Sequence, residues 1–414
     1  MVAVVTMAIA FLAFPPGAAV ALDLEEAMER AATNTEAAEI LRLRIDAADG
    51  RRRAALGALL PTLDASVGIT RNDRQVELGD RTFTSLWDTS AQIQARVDLF
   101  RGPAIPQWLA ARTGVDVATE TARWERARLR MMAADAWVTI LTAVANVDVA
   151  SDNLDLATES LAQTRARLET GFGLNADVAL ARTAVLDAEA ELLAARRVLE
   201  DALDTLAFLV REDALALEQL AQTGPSLADA AGVDGPTADI AALELEEEAA
   251  RRQVQAEHFN FLPTLSLAGT YHFGPSSVRA PDGRYWTVTL AATWRVFDFA
   301  RYGRLQEARA ERDIAGLRTE QAERERDRDL RAADRRIAET AARLELREEA
   351  LLAAMESREL VASRFELGEA TALELTQADS ALFAARTRLN LAVLERARAE
   401  LEAAWLRGAL QDED

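Results

Sequence analysis

Two copies of one pattern, roughly 200 residues apart, constrain this chain more than any other feature in it. Leu59-Leu60-Pro61-Thr62-Leu63 recurs as Phe261-Leu262-Pro263-Thr264-Leu265, an offset of 202. Val97-Asp98-Leu99-Phe100 is answered by Arg295-Val296-Phe297, Leu168-Glu169-Thr170-Gly171 by Phe365-Glu366-Leu367-Gly368, and Asp177-Val178 by Glu374-Leu375, each at an offset of 197. An internal repeat fixes architecture before local detail does, because both copies must solve one folding problem.

Each copy reads as helix, strand, loop, strand, long helix, tight turn, long helix. The first helix runs from Leu24 to about Leu59, with Leu24, Ala27, Met28 and Ala31 spaced three and four apart. Asp23, Glu25 and Glu26 stand at its start, where the helix dipole favours negative charge. Pro61 stops it. Beyond each proline the hydrophobic period falls from near 3.6 to 2, the mark of half-buried strands. Leu63, Ala65, Val67 and Ile69 share one face of the first strand, and alternate residues from Trp87 to Leu99 share one face of the second. Leu265, Leu267, Gly269, Tyr271 and Phe273 do so in the third, and Trp286, Val288, Leu290, Ala292, Trp294 and Val296 in the fourth. In a soluble sandwich the apolar faces would pack on each other; in a membrane barrel they face lipid while the polar faces line water. Trp286 and Trp294 lie on one face about 27 Å apart at 3.4 Å per residue, close to the spacing of a barrel's two aromatic girdles. Ordinary core tryptophans are the other reading of the pair. Four strands are too few to close a barrel around a pore, so a barrel needs several protomers.

From Pro103 to Gly171 and from Ala300 to Gly368, 68 positions each, no proline falls beyond Pro106, which a first helical turn tolerates, and this predicts helices of about 100 Å. Alanine shares their apolar positions with leucine, letting helices approach closely as in coiled coils, and charges fill the outer faces. Gly171-Phe172-Gly173-Leu174-Asn175 and Gly368-Glu369-Ala370-Thr371 supply the left-handed backbone and caps of tight reversals. Asp177 then falls in a first turn, and Thr371 with Glu374 has capping-box spacing. Thr223-Gly224-Pro225-Ser226 and Gly232-Val233-Asp234-Gly235-Pro236 mark an irregular connection between the copies, read as a small side domain or belt.

The formal net charge of -21 excludes a nucleic-acid partner, which needs concentrated Lys and Arg. With no cysteine there is no disulfide framework, thiolate metal site or lipidated N-terminal Cys. An enzyme fares poorly, since the only histidines are His258 at a helix end and His272 on a strand's polar face, with no phosphate loop or nucleophile elbow. The apolar stretch from Ala3 to Ala13, broken by Pro15-Pro16-Gly17 before Ala19-Val20-Ala21, reads as a secretory leader with a mature start near Leu22, although no Lys or Arg precedes it. No later run reads as apolar enough to span a bilayer as a helix, so insertion must use strands. The resulting division is a leader at 1–21 and a first repeat at 22–211, with its β-hairpin at 63–99 and its tip near 171–176. A connecting, equatorial segment at 212–237 leads to a second repeat at 238–408, with its β-hairpin at 264–297 and its tip near 368–371, and then to an acidic tail at 409–414.

The exported N-terminus, the start Leu24-Glu25-Glu26-Ala27, both Leu-Pro-Thr-Leu segments, Val296-Phe297-Asp298 and the tips ending in Gly171 and Gly368 together resemble the TolC family of outer-membrane efflux proteins across the mature chain. The resemblance implies a mainly α protein with a membrane β-barrel part. Each protomer would have two long α-helical hairpins and four β-strands, and three protomers would share a twelve-stranded barrel and an α-helical tunnel. It implies a homotrimeric channel, without cofactor, in the outer membrane of a Gram-negative bacterium, its barrel in outer-membrane lipid and a large part in the periplasm. Its partners would be a periplasmic adaptor (membrane fusion) protein and an inner-membrane RND, ABC or MFS transporter, in efflux or type I secretion. In that family acidic rings narrow the tunnel at the helix tips. Glu374 matches the first of two such carboxylates, Gln377 stands where the second would be, and Asp177 is the companion from the first tip. Gly171, Phe365, Gly368 and Thr371 become tip positions facing the adaptor, and Trp87, Tyr271, Phe273, Trp286 and Trp294 a membrane aromatic belt. Phe365 lacks the hydroxyl of the family's aromatic, and Ala370 replaces a latch arginine, which predicts looser gating. Helix-start carboxylates are the plainer reading of Glu374 and Asp177. A periplasmic coiled-coil adaptor and a structural envelope protein are the rival functions; both would be soluble without detergent.

Overall fold

The computed structural model describes residues 22–78, 81–84, 86–171, 173–220, 237–274 and 283–411. The leader, most of the connecting segment and the last acidic residues lie outside these. Helix α1 (Leu24–Thr33) is capped by Asp23, whose carboxylate accepts from the Glu26 N–H at 2.7 Å. It ends earlier than the periodicity suggested, and α2 (Glu36–Gly57) follows as a separate helix. The break has a local cause: Thr33-Asn34-Thr35 puts two β-branched residues around an Asn, and both hydroxyls turn back on carbonyls, of Glu29 and Ala31.

After Pro61 come β1 (Thr62–Arg71) and β4 (Trp87–Phe100), antiparallel in the register Thr62↔Arg96 to Arg71↔Trp87. Between them lies a small hairpin of β2 (Val76–Leu78) and β3 (Arg81–Thr84), runs too short for alternation to reveal. In the second copy β5 (Thr264–Phe273) pairs with β6 (Arg284–Thr293), and β5 also lies against β4, giving one antiparallel sheet in the order β1-β4-β5-β6. Strand β6 stops at Thr293, short of the expected extent through Trp294 and Val296. Thr293 faces Thr264, and the residue before Thr264 is Pro263, which has no N–H to continue the ladder.

The 3₁₀ turn η1 (Leu217–Gln219) lies in the described part of the connecting segment. Elements of the two copies match closely: α2 and α5 (Ala238–Phe259) each have 22 residues, α3 (Ala104–Glu169) and α6 (Phe299–Leu367) have 66 and 69, and α4 (Asn175–Val210) and α7 (Ala372–Leu406) have 36 and 35.

The chain forms two compact units. One draws on positions 1–35, 129–229 and 337–401 and the other on 36–128, 230–336 and 402–414. The first is cored by Trp137, Ile140, Leu206 and Val210 with Leu22 and Leu220, and by a second cluster of Ala134, Val138, Leu394 and Leu401. This corrects one sequence expectation. A stretch of α3 reaches mean hydropathy 1.3, apolar enough by length and composition to cross a membrane. In α3 the apolar Trp137, Val138 and Ile140 are buried in that unit's packing, and 39% of the apolar stretch is buried. The second unit holds the sheet and a tilted pair of Trp124 and Trp405, ring centroids 4.4 Å apart.

Candidate functional site

The helical hairpin tips concentrate the polar chemistry of the first unit. Gly171 (φ 81°) and Gly368 (φ 82°) hold the left-handed conformation that ends α3 and α6, a backbone state glycine adopts without a Cβ clash. At the second tip Thr371 and Glu374 form a full capping box. The Glu374 carboxylate accepts from the Thr371 N–H at 2.7 Å and its hydroxyl at 2.9 Å, and the Glu374 N–H donates to that hydroxyl at 3.2 Å. The Thr371 N–H, then its hydroxyl, hold the exposed Glu374 carboxyl below its ordinary value. At the first tip Asp177 accepts from the Leu174 N–H at 3.2 Å, half of the same device.

One side chain ties the two tips. Arg167, near the end of α3, lays its guanidinium over the Phe365 ring at 4.1 Å and donates to the Phe365 carbonyl. Arg364 stands at the equivalent position of the second copy, yet it donates to Glu369 O of its own tip at 3.2 Å. Phe365 is only 2% exposed, clustered with Ala370, Ala372 and Leu375. Its ring is therefore enclosed, while Gly171, Gly368 and Thr371 of the same predicted group are exposed. Ala370, at the position of the expected latch arginine, fills this apolar cluster. A hollow of about 540 Å³ opens beside the tie, lined among others by Arg167, Thr170, Asp177, Glu366 and Thr371.

Gln377 is exposed on α7. Two residues on, Asp379 is buried and takes a hydrogen bond from Arg358 at 3.0 Å. Burial pushes its carboxyl up, and the bond and charge of Arg358 oppose that. Sequence reasoning missed both Arg167 and Asp379, since in a chain with so many Arg and carboxylates only the facing helices reveal which pair.

The sheet sets the remaining candidates in cross-strand rows. Ala65, Ile93, Tyr271 and Trp286 are successive partners on one face, and Ser66, Gln92, His272 and Tyr285 form the adjacent row on the other. Tyr271 and Phe273 touch at 4.6 Å, and Arg71 lies over Trp87 at 5.4 Å. Trp294 falls outside β6, donating its indole N–H to Phe261 O at 3.0 Å, so it does not share a regular strand face with Trp286. His272 stacks on Tyr285 and His258 contacts Arg309; no metal-binding cluster occurs among the described residues. Every residue of β1 is exposed on both faces, with Leu63 at 74% and Val67 at 76%.

Comparison with known proteins follows the duplication. A family model described as outer membrane efflux protein matches residues 27–210 and again 237–407. A membrane protein of Pseudomonas aeruginosa superposes with a TM-score of 0.81 at 19% identity over 93% of each chain. The outer membrane protein VceC of Vibrio cholerae gives 0.79 at 18% identity, covering 93% of this chain and 96% of that one. The open-state MtrE outer membrane channel of Neisseria gonorrhoeae gives 0.76 at 20%, covering 94% and 89%. At these identities the likeness establishes the fold. No curated protein sequence matches the chain.

Proposed function

This chain belongs to the outer membrane efflux protein family, a family of transport proteins and not enzymes, and on that premise we propose that it forms a homotrimeric outer-membrane duct. The duct receives substrate from an inner-membrane RND, ABC or MFS pump through a periplasmic adaptor, in efflux or type I secretion.

The uncovered sheet carries this reading. Its apolar and polar faces are both open on β1, and β1 and β6 each present an edge without a partner strand among the described residues. In hydrocarbon an unpaired edge leaves backbone groups unsatisfied at several kcal/mol each, so edges must close on other copies. Two protomers would close eight strands, whose interior side chains fill; three close twelve, wide enough for a passage. Helices such as α3, about 100 Å of helix, then supply the tunnel wall.

The gate of this duct lies at the tips. Three copies of Glu374, with Asp177 nearby, ring the opening and favour cations. Mutual repulsion raises such carboxyls, and the capping box works against it by favouring the charged form. Arg167 on Phe365 supplies the tie between hairpins that a hydroxyl-bearing aromatic or an arginine at 370 would otherwise give. The test of the whole reading is the native mass of protein taken from membranes in mild detergent. A trimer released only by detergent is expected; a soluble monomer or dimer overturns it.

A further inference from the structure

The link from β6 into α6, within the second unit, combines two features that rarely share a surface. Trp294, Val296, Phe297 and Phe299 are largely exposed, the last two at 76% and 79%. Among them Arg295, Arg301 and Arg304 converge on a single carboxylate, Asp298, at 3.2, 3.8 and 3.8 Å. Arg304 also reaches Glu257 at 3.7 Å, but Glu257 already accepts from Asn260 at 2.9 Å. Asp298 takes a further bond from the Ala300 N–H at 3.1 Å. Arg301 also donates to the Arg295 carbonyl at 2.8 Å, which fixes the cluster's geometry.

Each guanidinium has five N–H donors, so three of them around these two carboxylates keep donors and positive charge to spare. In a chain of net charge -21 a local surplus of this kind selects an anionic partner. The exposed rings narrow the choice. A free anion gains nothing from them, whereas a phospholipid offers a phosphate to the guanidiniums and acyl chains to the apolar side chains. The geometry points to this link as a binding surface for the phosphate headgroup of an anionic phospholipid, held by the exposed Arg295 and Arg304, with the largely buried Arg301 adding its charge from behind them and the adjoining aromatics in the acyl region. This rests on the sheet being the membrane-inserted part.

Native mass spectrometry of the full, detergent-purified protein in an equal mixture of phosphatidylglycerol and phosphatidylcholine tests it without any variant. Several-fold preferential retention of phosphatidylglycerol is expected, and equal retention overturns the inference. A second measurement follows the midpoint of heat unfolding as phosphatidylglycerol, phosphatidylcholine or inorganic phosphate is added. Only phosphatidylglycerol should raise it, and Arg295→Gln with Arg304→Gln should abolish the rise while the native mass stays that of the parent. A rise that survives the double substitution, or that inorganic phosphate reproduces, overturns it. If the chain proves soluble without detergent, the membrane reading itself fails; a detergent-dependent trimer indifferent to headgroup charge sinks this inference alone.

Discussion

At the residue scale the proposed pore carboxylate is a side chain that already has a structural task. Glu374 closes a capping box, and its charge is held by the Thr371 N–H and hydroxyl. A carboxyl whose folded value is lowered keeps its charge as pH falls and loses it only below the ordinary value. Cation selectivity of the reconstituted channel should therefore persist into mildly acidic solution, and Glu374→Gln should reduce it at neutral pH. Thr371→Ala removes the hydroxyl half of the support and should shift the loss of selectivity to higher pH, besides costing about 1 kcal/mol as a lost cap. Selectivity identical in all three proteins would take Glu374 out of the pore. Arg167 makes the complementary prediction. Arg167→Ala should raise resting conductance several-fold, and Arg167→Lys, which keeps the charge but loses the planar stack on Phe365, should fall between. Arg364→Ala, at the equivalent position but bonded within its own tip, should leave conductance unchanged. The capping box was legible because Thr and Glu three apart before a helix are a local code. Arg167 and its partner lie 198 residues apart, and Asp379 and Arg358 21 apart. Such pairs depend on which helix faces meet, and sequence carries no local sign of that.

At the scale of elements the period of the chain was a good guide wherever an element is long. The long helices and the four sheet strands follow from uninterrupted alanine-rich runs and from alternation after a proline. The α1–α2 break, the β2–β3 hairpin and the early end of β6 did not, because each turns on a few residues' hydrogen bonds rather than on a period. The tips allow a paired test. At Gly171 a Cβ would meet nothing within 4 Å, so Gly171→Ala carries only the cost of a left-handed alanine, roughly 1–2 kcal/mol. At Gly368 the added carbon would meet only the end of the Arg167 side chain at 3.4 Å, an ordinary van der Waals contact. The heat-unfolding midpoint should thus fall by similar amounts for Gly171→Ala and Gly368→Ala, and no fall in either would mean that the tip glycines do not hold the left-handed conformation.

At the scale of the whole molecule, the two faces of the sheet make opposite predictions. Leu290 lies on the face of Trp286 and Val288, Thr287 on the other. An arginine facing lipid near the midplane of a barrel costs about 2–4 kcal/mol, whereas one facing water is tolerated. Leu290→Arg should sharply reduce the yield of detergent-extracted trimer and Thr287→Arg should not; equal yields would mean that the face of Leu290 meets no lipid. The duplication has a further consequence in such an assembly. Viewed along its axis, a three-fold ring of twice-repeated chains has a nearly six-fold outline, in which two kinds of hairpin alternate. A ring-shaped partner could seat in either of two registers a sixth of a turn apart. The choice between them falls to what the copies do not share, a Gly-Leu-Asn turn at one tip and a Thr-Glu capping box at the next.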